Sequence, residues 1–365
     1  MSTLLAAVTC LLSPLRADAF APETYAAESR LAQGNWVKVK TSRSGIHCIT
    51  PSQLRQWGFS RPERVRVYGY GARPTGDILS LNNYIDDLPM TLCEYTAQGL
   101  VFYSTGAKTH TVTQQKYWKT APNYYSEETF YLLTEATDEE LSAETPTIGE
   151  PSATTGTSFF QEIIVHEKEL VSPGQTGHRF IGEDFRYTRK QTFTFNLPER
   201  DKSEKDIWVN CAFAYKAING KSTITMSVNG KEIQLPPESI LDATTDNNNL
   251  HYSLVNIPVT VENTDDRVSL DVTFATNANP LRLARLDNIT LNYPRKLSLG
   301  SAPLEFRLWN TGKATLEGAT AQTRVWDVTD AADIRRVVTS EPNTQGQISW
   351  NTRRDNSKAE YVAWT

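Results

Sequence analysis

Apolar and polar residues alternate with a period of two along most of this chain, in short runs separated by turn residues. An amphipathic helix would need a period near 3.6, so the alternation predicts half-buried strands. Trp36-Val37-Lys38-Val39-Lys40 alternates, Thr41 to Gly45 turns, and Ile46 to Thr50 returns as a β-hairpin. A short helix follows, with Thr50 as its N-cap, Pro51 at the first helical position and Gly58 closing it. Val65-Arg66-Val67-Tyr68-Gly69, Met90 to Tyr95, Leu100 to Tyr103 and Phe130 to Thr134 read as further strands. Gly69, Pro74, Gly71 and Gly76 mark a turn-rich loop.

Between Glu135 and Ser158 the composition shifts to Thr, Ser, Ala, Glu, Pro and Gly, too poor in large apolar residues for a core. Beyond it, strands are expected at Thr192–Phe195, Ile207–Tyr215, Ser222–Val228, Leu254–Val261, Val268–Phe274 and Ala284–Tyr293. Asn229-Gly230 supplies a two-residue hairpin turn between Val228 and Lys231. From about Leu299 a third run begins with Leu304–Trp309 and Ala321–Val328, and it reaches Thr365 in mid-strand, which reads as a truncated domain. The expected class is all-β: tandem antiparallel β domains, including a jelly-roll-like sandwich, with minor short helices. The expected division is a leader at 1–19, a β domain at 30–135, a linker at 136–158, the sandwich at 159–297 and the start of a further β domain at 298–365.

The leader assignment rests on the apolar run Leu4 to Leu12 followed by Ala17-Asp18-Ala19, a small-x-small cleavage pattern. No run approaches the roughly 20 apolar residues of a membrane-spanning helix. With 37 Lys+Arg against 42 Asp+Glu, the net charge of −5 gives no basic footprint for nucleic acid. Removing the leader leaves Cys48, Cys93 and Cys211, too few for a disulfide framework and without a Cys-x-x-Cys pair. Cys93 and Cys211 lie in strand-like runs, where a thiol serves as a small apolar side chain.

Five histidines, His47, His110, His166, His178 and His251, form no metal-binding pair, and no cofactor or metal is expected. A Cys–His dyad assembled in the fold stays open, although Cys48 and Cys211 sit on neither a Gly-rich loop nor a helix start. There is no Gly-x-Ser-x-Gly elbow, Walker loop or dinucleotide fingerprint, and Gly69-Tyr70-Gly71 is a fragment of one. Asp86 and Asp87, adjacent on an extended segment, point apart and suit turn capping better than shared ligation. Asp287 is expected to pair with Arg285 on one strand face, with a structural calcium as the alternative. Trp208, Trp309 and Trp326 fit core packing as well as a sugar platform. No catalytic, cofactor-binding or metal residue is assigned.

The order of several short motifs resembles the N-terminal region of the type IX secretion system sortases, gingipain-related cysteine peptidases of Bacteroidetes. The matching stretches are Gly34–Val39, Ser44–Thr50, Val65–Gly71, Asp86–Pro89, Gly99–Tyr103, Asn123–Ser126, Tyr131–Thr134, His166-Glu167, Gly182–Phe185, Ala284–Ile289 and Val325–Thr329. The resemblance implies a cell-surface enzyme that removes the C-terminal signal of exported cargo and helps attach that cargo to surface lipopolysaccharide. In that family the catalytic His and Cys belong to a caspase-like domain that follows the β domains, and no position here matches either. The resemblance therefore implies a non-catalytic scaffold or docking region, exported across the inner membrane to the cell surface, with cargo and other secretion components as partners. A jelly-roll carbohydrate-binding module is the alternative.

Overall fold

The computed structural model describes residues 25–72, 85–113, 117–123, 125–142, 144–149, 156–172, 180–217, 220–242, 252–276, 282–309, 312–352 and 358–365. The expected all-β class holds, and strand pairing among the described residues is antiparallel except for two parallel pairs of two residues each. The leader at 1–19, His178 and His251 fall outside the described residues.

The N-terminal segment opens with strands β1 (Val37–Thr41) and β2 (Gly45–Ile49), then helix α1 (Pro51–Gln56). Strands β3 (Val65–Tyr68), β4 (Met90–Thr91), β5 (Cys93–Tyr95) and β6 (Leu100–Ser104) follow. A hairpin of β7 (Lys108–Val112) and β8 (Trp118–Pro122) precedes β9 (Thr129–Glu135) and the short helix α2 (Asp138–Ser142). One sheet has the order β1-β9-β3-β4 and a second β2-β6-β5. Between them lie Leu54, Val65, Val67, Leu100, Phe102, Tyr131 and Leu133. Helix α1 starts where the sequence places it: the Thr50 hydroxyl accepts from the Gln53 N–H, and the Gln53 side chain accepts from the Thr50 N–H.

The stretch Met90–Tyr95, expected as one strand, is two. Leu92 turns into a different apolar cluster, so β4 joins β3 while β5 joins β6.

The middle segment begins with two-residue strands β10 (Thr147–Ile148) and β11 (Gly156–Thr157), then β12 (Phe159–Glu167), β13 (Lys190–Asn196) and β14 (Asp206–Lys216). It continues through β15 (Ser222–Val228), β16 (Lys231–Glu232), β17 (Ile240–Leu241), β18 (Ser253–Glu262), β19 (Arg267–Ala275) and β20 (Leu283–Lys296). Sheets β12-β20-β14-β18 and β13-β19-β15-β16 face each other as a sandwich. Its filling includes Phe185, Phe193, Val209, Cys211, Phe213, Leu270 and Ile289. The Asn229-Gly230 turn forms as expected, with φ of 50° and 80° and Val228 paired to Lys231.

The C-terminal segment has β21 (Leu304–Trp309), β22 (Lys313–Leu316), β23 (Arg324–Asp327), β24 (Arg335–Val337), β25 (Ile348–Asn351) and β26 (Lys358–Trp364). These form sheets β10-β24-β23-β26-β21 and β11-β22-β25 around Phe306, Leu316, Val325, Trp350 and Tyr361. Both short strands of the 136–158 stretch thus add in parallel to this segment. Phe160 of β12 belongs to the same cluster, 5.9 Å from Phe306. A fourth cluster joins the ends of the chain: Leu92, Val101 and Tyr103 pack on Trp326, Val328, Ile334, Val362 and Trp364. No helix among the described residues is long and apolar enough to cross a membrane.

Candidate functional site

The three segments meet at the β7–β8 hairpin, whose sequence is too polar to hold itself in place. Its first anchor is an amide. Trp118, almost fully buried, donates its N–H to Asn292 Oδ1 at 2.6 Å and accepts from Asn292 Nδ2 at 2.9 Å. Asn292 lies on β20 with no exposed surface, so one side chain satisfies both main-chain groups of Trp118. Beside it, Tyr117 stacks flat on Trp208 of β14, with ring centroids 5.2 Å apart and planes 9° from parallel.

The second anchor is His110. Its Nε2 lies 2.7 Å from Arg307 Nη2, and its Nδ1 lies 3.2 Å from Thr120 Oγ1. A guanidinium can only donate, so Nε2 accepts and the ring proton sits on Nδ1, where it donates to Thr120. Lys358 Nζ donates to the His110 carbonyl at 2.5 Å, and Glu360 balances the two cations, 3.0 Å from Lys358 and 3.4 Å from Arg307. Burial, then the positive charges of Arg307, Lys358 and Lys108, push the His110 pKa down to about 2. The imidazole is therefore a neutral acceptor at any ordinary pH and far from the range of a general base. Further contacts tie the N-terminal segment to the C-terminal one: Glu94 meets Arg324 at 3.3 Å and Arg336 at 2.9 Å, and the Tyr103 hydroxyl donates to Glu305 at 3.3 Å.

Between these contacts lies a cleft of about 910 Å³, walled by Tyr103 and His110, by Ile163 and Val165 of β12, and by Glu305 and Arg307 of β21. That volume sits near the upper end of the roughly 300–1,000 Å³ of ligand sites. Burial raises the Glu305 carboxyl above the usual range, opposed by Arg307 and by hydrogen bonds from Ser44 and Tyr103. Arg295 and Glu162 pair at 2.6 Å within the cleft.

The residues singled out by sequence do not gather here, His110 excepted. Cys48 is exposed, Cys93 half-buried and Cys211 buried in the sandwich, and desolvation raises each thiol above its ordinary pKa. His47 stacks on Phe102 at 5.7 Å, and His166 lies 2.7 Å from Glu183 Oε1 and packs on Phe193. Asp87 accepts from the Arg30 N–H (2.8 Å) and the Leu88 N–H (2.8 Å), and Asp86 accepts from the Ala26 N–H, so both hold the distant 26–30 segment. Among the described residues no three His, Cys, Asp or Glu side chains are placed to share a metal. Gly71 has φ +79°, and a Cβ there would meet Thr105 Oγ1 at 2.0 Å, consistent with the sharp turn expected.

The expected Arg285–Asp287 pair does not form. The β14–β20 ladder shifts register between Ala212 and Phe213, pairing Ala212 with Asn288 and Phe213 with Leu286. Asp287 is the extra residue of that bulge, and Arg285 binds Asp184 instead at 2.6 Å. Trp208 is covered by Tyr117 and Trp326 has no exposed surface, so neither offers an open face to a sugar, while Trp309 is half-buried on β21. Sequence reasoning missed Asn292 and the hairpin. A polar residue at a core-spaced position in Thr290-Leu291-Asn292-Tyr293 was the available signal.

Geometry thus defines a multi-segment β-sandwich protein whose segments enclose a polar cleft. No family model and no curated protein matches the chain in sequence. Among solved structures, the crystal structure of dimeric latent PorU from Porphyromonas gingivalis is similar at 22% identity over 92% of this chain and 32% of that one, with a TM-score of 0.78. The chain has the fold of that part of PorU and spans about a third of its length. A family 35 carbohydrate-binding module from an environmental isolate (16% identity, 37% of this chain and 85% of that one, TM-score 0.21) falls too low to support an argument. So does a β-porphyranase of glycoside hydrolase family 86 from Bacteroides plebeius (10% identity, 72% of this chain and 35% of that one, TM-score 0.23).

Proposed function

We propose that this chain is a non-catalytic, β-rich region of a type IX secretion system sortase, acting at the cell surface as scaffold and docking platform for exported cargo. The observation that carries the reading is the PorU-like fold across 92% of the chain. The motif order supports it, as do three thiols whose desolvation works against a thiolate nucleophile. In this reading residues 1–19 direct export, 30–135 and 159–297 are β units linked by 136–158, and 298–365 begins a further β unit. Cleavage of the cargo signal belongs to a caspase-like domain of the family. The platform is the cleft, where all three units contribute walls.

The test mixes the purified chain with an exported cargo protein carrying its C-terminal signal domain. Retention of intact cargo on the immobilised chain is expected, unaffected by thiol alkylation. Cargo cleavage abolished by alkylation, or no retention at all, would overturn the reading.

A further inference from the structure

Strand β12 is an end strand, and the direction of its unpaired main-chain groups can be read from its register. Leu297 donates its N–H to the Ser158 carbonyl at 2.8 Å, and pairing runs unbroken from Phe159↔Lys296 to Glu167↔Asn288. Antiparallel ladders alternate bonded and non-bonded pairs. Phe160, Glu162, Ile164 and His166 therefore bond to β20, while Gln161, Ile163, Val165 and Glu167 turn their N–H and C=O groups outward. Two contacts agree with this parity: the Phe159 N–H donates to Thr157 Oγ1 at 3.3 Å, and the Ile163 N–H donates to Glu162 Oε1 at 3.0 Å.

Ile163, Val165 and Glu167 line the cleft, and among the described residues no strand pairs with that edge. The opposite edge of the same sheet, β18, is blunted by Pro258 at mid-strand. No such residue interrupts β12. Its edge runs along the cleft instead, with Glu162 from one face and Ile163, Val165 and Glu167 from the other lining it. From Gln161 to Glu167 it runs about 20 Å, six steps of roughly 3.3 Å.

Charge in the cleft is uneven. Toward the Arg307 end Glu162 is matched by Arg295 and Glu360 by Lys358 and Arg307, while Glu305 takes hydrogen bonds from Tyr103 and Ser44. Toward the other end stand Glu127, Glu167 and Glu169, which no ion pair among the described residues neutralises, with Lys108 the cation nearby. Burial first, then repulsion from Asp287, raises the Glu167 pKa, and burial first, then repulsion from Glu167 and Asp287, raises that of Glu169. A cation placed there would relieve that repulsion.

We propose that the cleft takes an extended peptide by strand addition: the peptide pairs its main chain with Ile163 and Val165 and sets a Lys or Arg side chain among Glu127, Glu167 and Glu169. The incoming carbonyl replaces Glu162 at the Ile163 N–H, so the carboxylate holds the donor until a strand arrives. This rests on the docking reading and identifies the bound chemistry as an extended segment with a basic side chain.

The experiment follows fluorescence anisotropy of a labelled synthetic peptide alternating Val and Thr with one Lys near its end. Two analogues accompany it, one N-methylated at alternate amides and one with Glu replacing Lys. The parent should bind saturably and each analogue about tenfold or more weakly, a difference near 1.4 kcal/mol. Val165→Pro removes an outward N–H and should abolish binding. Because proline carries its own folding cost, the double variant Glu167→Gln, Glu169→Gln is measured alongside, and it should bind the Lys and Glu peptides equally. Equal binding of the N-methylated peptide overturns strand addition, and equal binding of the Glu peptide by the unaltered chain overturns the charge assignment. No peptide binding with intact cargo still retained removes this site and leaves the docking reading standing; loss of both removes both.

Discussion

In the middle sandwich, Ile224, Met226 and Val228 of β15 and Val268, Leu270, Val272 and Phe274 of β19 all point into one apolar filling. At the junction, the β7–β8 hairpin meets its neighbours through an asparagine amide, a neutral imidazole, two cations and one carboxylate. Apolar burial is non-directional and tolerates repacking, whereas each junction contact fixes a donor against an acceptor. The sandwich thus supplies stability, and the junction supplies the relative placement of the segments that shapes the cleft.

Phe213→Ala should have the largest effect, since it empties a fully buried site. A loss of about 3–5 kcal/mol in urea unfolding is expected, with the sandwich itself destabilised. Asn292→Leu tests the other side of the comparison. It strands the N–H and C=O of Trp118, at roughly 1–3 kcal/mol per group, and hydrogen exchange should rise across Lys108–Pro122 while β15 and β19 stay protected. Equal loss of protection in the sandwich would erase the distinction between the two regions.

Acid should act through His110. The folded junction refuses a proton that the unfolded chain accepts below about 6.5, because burial and three cations lower the folded pKa to about 2. The stabilisation is complete above 6.5 and is lost progressively as pH falls toward 2. Between pH 6.5 and 5 the loss is at most about 2 kcal/mol, from 1.4 kcal/mol per unit. His110→Gln, whose amide oxygen can accept from Arg307, should flatten that part of the stability–pH curve. Thr50→Ala, remote from both regions, should cost about 1 kcal/mol through the lost cap. Smallest is the acidic end of the cleft. Folded pKa values above the unfolded ones stabilise at low pH and cease to as pH rises through them, so Glu169→Gln should raise the thermal midpoint slightly at pH 7 and leave it unchanged at pH 3.

The same contrast explains what could be read in advance. Period-two alternation disclosed β1, β15, β18 and β19, and turn chemistry disclosed α1 and the Asn229-Gly230 hairpin, because each is governed by neighbours close in sequence. Strand β12 escaped because Phe159-Phe160 and Ile163-Ile164-Val165 place apolar residues side by side, one face serving the sandwich and the other the cleft. The hairpin escaped because Lys108-Thr109-His110-Thr111 has no apolar face at all. Its partners Asn292, Arg307 and Lys358 lie 174 to 248 residues away. A bulge, which slips one residue out of register, similarly moved Asp287 away from the expected Arg285 pair.

The docking proposal makes the cleft the working surface and the sandwich its support. Hydrogen exchange of the full chain, with and without a bound cargo C-terminal signal domain, tests it directly. Slowed exchange at Ile163, Val165 and Glu167 and along the β7–β8 hairpin is predicted, with the Thr192–Thr194 and Ser269–Thr273 stretches of β13 and β19 unchanged. Cargo that binds while slowing exchange only on β13 and β19 would contradict it.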